Sequence, residues 1–230
     1  MSGPGSAMKS SSSFTASNFD RTWMTSPNAN NENGWIVAFI DSRGVSGMGK
    51  RLTDEIYLKL GQIEKYDITE FANALVDSKV ENMKIDTNRV AIWGWSYGGF
   101  TTSHVMGLQD DFWKCGVAVA PVNGFSLYDS IYTERYMQSF EENEDGYKKS
   151  FPMANLKAEN YFGDFTMIHG TADDNVHFQN SATMSREIIK NGFQFGNYFY
   201  GEQQHGINSD SHNNQHVYRL ISRKLNSCGK

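Results

Sequence analysis

The sequence lacks the features that would commit it to a membrane, a nucleic acid or a metal. No stretch approaches the roughly 20 consecutive apolar residues that a membrane helix needs. The first 18 residues, rich in Ser and Gly with a lysine among them, carry no apolar core of the signal-peptide kind. As written, the chain is expected to be soluble and without an address. Basic runs are missing, and a net charge of −5 argues against nucleic acid as a partner. There are only two cysteines, Cys115 and Cys228. At that separation they exclude a C-x-x-C metal or redox site, and by count alone they are two buried thiols. There is no internal repeat.

What is present suits one sizeable α/β domain. A length of 230 residues, with 39% apolar and 13% aromatic residues, is enough for a single buried core. Residues 1–18 are expected to be loop or tail and residues 19–230 the folded domain. Continuous apolar, β-branched runs at 35–40, 89–93, 115–120, 165–168 and 193–200 predict buried strands. Helical spacing predicts helices over 53–80, with Ile68, Phe71, Ala72 and Leu75 facing the core, and over 100–108, 128–137, 178–190 and 211–225. Strands alternating with helices imply a mostly parallel sheet covered on both faces. The acidic run 141–145 is expected to be a solvated loop.

One pattern carries chemistry. Gly94-Trp-Ser96-Tyr-Gly98 fits G-x-S-x-G between an expected strand and an expected helix. That context is what a nucleophile elbow requires: a sharp turn that lifts the serine hydroxyl above the sheet edge, with no Cβ at the flanking positions to clash within it. A serine hydroxyl needs a neighbouring base to take its proton. On this architecture the acid and then the base follow the serine in the chain. After the strand at 165–168 the acid is offered by Asp173 or Asp174, and after the last strand the base is offered by His205. His104, His169, His177, His212 and His216 lie in helical patterns or beside strand ends and are expected to be structural or at the surface.

Four segments, Gly94-Trp-Ser-Tyr-Gly-Gly-Phe100, Ala120-Pro-Val122, residues 128–136 (YDSIYTERY) and residues 169–178 (HGTADDNVHF), resemble the dipeptidyl peptidase IV and fibroblast activation protein group of prolyl oligopeptidase-type serine peptidases. The resemblance runs from about residue 3 to the end. It implies the α/β-hydrolase fold, without its first strands and without the family's N-terminal β-propeller, and it implies no cofactor. It implies that Ser96 is the nucleophile, His205 the base and Asp173 the acid, with Asp174 only a neighbour. The backbone N–H of Tyr97 becomes an oxyanion donor, and Asn175 a contact to the substrate backbone. Val122, Phe125, Tyr128 and Tyr132 become the flat aromatic box for a proline side chain, with Phe125 where the family usually has Trp. Tyr128 and Tyr132, four apart, are expected to present their rings on one helical face.

The resemblance further implies a Cys115–Cys228 disulfide, hence an oxidising, extracellular or membrane-anchored setting, peptide substrates with proline (or alanine) at the cleavage position, and a homodimer. It also raises departures. Met1 stands where the family has a tyrosine that helps hold the oxyanion, and losing one such donor typically costs about 10²–10³ in turnover. A strand between 35–40 and 89–93 is expected to be missing, so those two either close up or leave unpaired edges. The propeller's paired glutamates and arginine, which grip a free amino terminus, have no replacement. Impaired activity and loss of strict dipeptide selection are therefore expected. The alternatives are an inactive or peptide-binding relative, or a carboxylesterase on the same fold.

Overall fold

The computed structural model describes residues 3–6, 35–78 and 85–230. Its centre is a four-stranded parallel sheet, β1 (Ala91–Trp95), β2 (Cys115–Val119), β3 (Asp164–Gly170) and β4 (Gly196–Tyr200), paired in chain order. The pleat sorts the side chains onto two faces. Val117, Val119, Ile168 and Tyr200 meet Val217, Leu220, Ile221 and Leu225 from a C-terminal helix, numbered α7 below. Ala118, Phe165 and Met167 meet Ile68, Val105, Met106, Met184 and Ile188 on the opposite face.

The helices are α1 (Lys50–Asp54), α2 (Glu64–Asp77), α3 (Tyr97–Met106), α4 (Ser130–Met137), α5 (Glu144–Lys149), α6 (Gln179–Lys190) and α7 (Ser211–Asn226). Asp129, Asn143 and Asp210 cap α4, α5 and α7 by accepting backbone N–H groups of the first turn. Cys115, at the start of β2, and Cys228, just past α7, form a disulfide that ties the sheet to its covering helix.

Three expectations need correction. Residues 35–40 do not form a strand, and no ladder bond joins them to the sheet among the described residues. Trp35 and Val37 pack on the α7 side and Ile40 on the other, while Ile36 and Phe39 are exposed. Side chains anchor this segment: Trp35 Nε1 donates to Asn226, and the Arg89 guanidinium lies over the indole.

The helix expected over 53–80 is two helices. Leu58 and Gly61 have positive φ, and Leu58 N–H is drawn away to Tyr136 O at 2.7 Å. Of the expected core positions, Ile68 is buried and Ala72 packs beside it, whereas Phe71 is exposed.

The acidic run at 141–145 is half helical. Glu144 and Asp145 open α5, where carboxylates suit a helix N-terminus, and pair with Lys148 and Lys149 one turn on. Residues 3–6 form a turn in which Gly3 and Pro4 are buried and Gly5 N–H donates to Gly44 O. The rest of 1–18, Met1 included, lies outside the described residues.

Candidate active site

Ser96 stands between β1 and α3 at φ 61°, ψ −118°, a left-handed conformation that a non-glycine residue holds only when its surroundings impose it. Here the surroundings are specific. Ser96 N–H donates to Val119 O at 2.9 Å. A Cβ on Gly94 would sit 2.4 Å from the Gly98 backbone, so only glycine lets the turn close. The Tyr97 N–H that follows is at the first helical position and has no preceding turn to bond.

The tyrosine ring is buried between Phe100 and Phe125, and its hydroxyl donates to Glu64 Oε1 at 2.6 Å. Burial pushes the Glu64 carboxyl above its ordinary value, and the Tyr97 phenol well above its own.

Asp173 follows β3 and its side chain is wholly buried. Oδ1 accepts the N–H groups of Asn175 and Val176, and Oδ2 accepts His205 Nδ1 at 2.8 Å and His169 Nε2 at 3.1 Å. Burial alone would raise this carboxyl, but the hydrogen bonds from His169 and His205 outweigh it and hold the group well below the ordinary carboxylate range. Asp174 is exposed, and it is Asp173 that meets His205.

Three contacts bring the loops together. Trp95 Nε1, one residue before the serine, donates to His205 O at 2.9 Å, Ala172 N–H donates to Gln203 O, and Glu202 N–H donates to Thr171 Oγ1. Among the described residues no hydrogen bond joins Ser96 Oγ to His205. Such bonds commonly tighten only in the complex with substrate.

Beside these residues lies an aromatic cluster. Val122 and Phe125 are buried, and Phe125 meets Phe100 edge-on. The Tyr128 and Tyr132 rings pack at 5.6 Å, nearly perpendicular. The shared helical face is not the reason, because α4 starts at Ser130 and Tyr128 precedes it in extended backbone. Tyr128 hydroxyl donates to Asn175 Oδ1 at 3.0 Å, so Asn175 is tied to the box and its amide nitrogen is left for another partner. Tyr132 hydroxyl is turned toward Pro4 O, and the ring also stacks on Tyr136.

Two participants escaped the sequence. Nothing in the spacing around Glu64 marks it as buried, and His169 offered only its place four residues before Asp173. Among the described residues no group of three His, Cys, Asp or Glu could hold a metal ion.

The model of the prolyl oligopeptidase family matches residues 17–227. The chain belongs to the prolyl oligopeptidase family. It is 43% identical to dipeptidyl peptidase 4 of Bos taurus over 84% of the chain, and 40% identical to prolyl endopeptidase FAP of Homo sapiens over 85%. It spans about a quarter of the length of these relatives, 25% in each. The crystal structure of Porphyromonas gingivalis dipeptidyl peptidase 4 superposes with a TM-score of 0.78 at 33% identity, covering 85% of this chain and 27% of that one. The sheet and its flanking helices are therefore the α/β-hydrolase fold of this prolyl oligopeptidase family.

Proposed function

We propose that the chain is the catalytic part of a dipeptidyl peptidase IV-type serine peptidase, cleaving peptide bonds after proline or alanine. The observation that carries this is the His205–Asp173 hydrogen bond, held by Trp95 beside a serine in an elbow conformation.

Ser96 Oγ attacks the scissile carbonyl carbon and its proton passes to His205 Nε2, while Asp173 stabilises the imidazolium through Nδ1–H. The Tyr97 N–H donates to the oxyanion. The C–N bond breaks as the imidazolium proton moves to the departing amine. Water then attacks the ester carbon and gives a proton to His205; the C–O bond to Ser96 breaks as that proton passes to Oγ, which releases the product acid and restores the serine. Val122, Phe125, Tyr128 and Tyr132 enclose the residue before the cut, and Asn175 Nδ2 donates to the substrate backbone.

A fluorophosphonate probe should label the folded protein and not Ser96→Ala. A Gly-Pro chromogenic amide should be cleaved in preference to short-chain esters. Absence of labelling in folded protein would favour a binding relative, and preferred ester cleavage a carboxylesterase.

A further inference from the structure

His169 lies on β3 with its side chain wholly buried, as is that of Asp173. Its Nε2 faces two acceptors, Asp173 Oδ2 at 3.1 Å and Val176 O at 2.8 Å. A carboxylate oxygen and a carbonyl oxygen can only accept, so Nε2 carries the hydrogen. Nδ1 lies 2.6 Å from Ser181 Oγ on α6; in the neutral ring it accepts the serine hydroxyl, which fixes the tautomer. Phe178 packs edge-on against the ring. One carboxylate oxygen thus receives two imidazole N–H groups, one from a strand buried in the core and one from the loop after β4.

We propose that His169 is a positioning residue for the triad: locked by Ser181, its Nε2–H fixes where Asp173 Oδ2 sits and shares that oxygen's charge with His205. This rests on the serine-peptidase reading above. The physical consequence is twofold. If Oδ2 swings away from His205 it also gives up the His169 N–H, a charge-assisted bond that helps hold it in place, while that N–H keeps Val176 O as its other acceptor. The donor from His169 also draws charge from the same oxygen that faces His205 Nδ1. The titratable groups that bear on this carboxylate are His169 from β3, His205 from the β4–α7 loop and Tyr128 from the loop before α4.

The test is a ¹⁵N-imidazole NMR titration of His205 in wild type, His169→Gln, His169→Leu and Ser181→Ala, with kcat and KM measured in parallel. Gln keeps an N–H donor at the Nε2 position, and Leu removes it. In His169→Leu the His205 titration should move to higher pH, and kcat should fall about 10- to 100-fold with KM little changed, as expected for a displaced catalytic group. Gln should restore most of both. Ser181→Ala should move the titration in the same direction by less, and it carries the test if the Leu variant does not fold. A His205 titration that is the same in wild type as in His169→Leu, or as in Ser181→Ala where Leu does not fold, overturns the proposal. If the wild type turns over no peptide, the peptidase reading fails, and the NMR comparison still decides the role of His169.

Discussion

Tyr97, the residue after Ser96, donates its hydroxyl to Glu64 at 2.6 Å in a buried contact. The bond fastens the first residue of α3 to the first residue of α2. Removing the phenol leaves a buried carboxyl short of a donor, at a cost of about 1–3 kcal/mol. Tyr97→Phe should lower stability by that amount in urea unfolding, and Glu64→Gln, which still offers an acceptor, should lower it less.

Glu64 also gives a pH dependence of definite sign. Its folded carboxyl is raised by burial above the ordinary 4.5. The stability it contributes is therefore full below pH 4.5 and falls as pH rises through the folded value. Glu64→Gln removes this slope. Relative to wild type, the Gln variant should be more stable at pH 7.5 than at pH 4.5; a constant difference would show that Glu64 does not titrate with folding.

His104 slopes the other way. It is buried on α3, edge-on to Phe100, with Nε2 bonded to Ser150 O at 2.9 Å and Nδ1 without a partner. Burial pushes its imidazole down from 6.5 to about 3. The fold accepts the neutral ring, so its contribution is full above pH 6.5 and is lost as pH falls toward 3. Between pH 6.5 and 5 the loss is about 2 kcal/mol, at ~1.4 kcal/mol per unit. His104→Leu should therefore gain on wild type as pH drops from 7.5 to 5, read as a shift in urea midpoint. Asp173, depressed from 3.8, keeps its full contribution above that value and loses it only below, so it does not overlap this window.

The Cys115–Cys228 disulfide closes a loop of 113 residues. On a chain-entropy account that is about 5 kcal/mol, with measured losses typically about 2–5 kcal/mol. The double Cys→Ser variant should melt roughly 5–15 °C lower, at about 2–4 °C per kcal/mol for a domain this size. An unchanged melting temperature would mean the bond constrains nothing.

Gly61 has φ +78°, and a Cβ there would lie 2.2 Å from His104 Nε2 and 2.5 Å from Phe100 Cζ. Both neighbours are buried and cannot yield. Gly61→Ala should destabilise by about 1–3 kcal/mol through strain and overpacking, measured against Gly192→Ala, where φ is +80° but the space is open. Equal losses would assign the whole effect to backbone strain.

Much of this protein was legible in its residues. The apolar runs at β1 to β4 were strands because β-branched and aromatic side chains filled both faces of a parallel sheet. The serine elbow was visible because only glycines fit beside Ser96, and the chain order of Ser96, Asp173 and His205 follows from the order of the strands that deliver them. Segments with equally apolar residues but no strand beside them misled: residues 35–40 were held by side chains alone, and the helix expected across Leu58 and Gly61 broke because the Tyr136 carbonyl and the His104 ring claimed that stretch.

Residue order by itself determined which side chains end each strand, since a parallel sheet brings successive strand ends to one edge. Only tertiary packing decided which of two adjacent aspartates turned inward, that Tyr128 meets Tyr132 without sharing a helix with it, and that His169 bonds Asp173 and Glu64 bonds Tyr97. Those choices depend on where donors stand in a buried space, and a donor dozens of residues away leaves no mark on the local pattern.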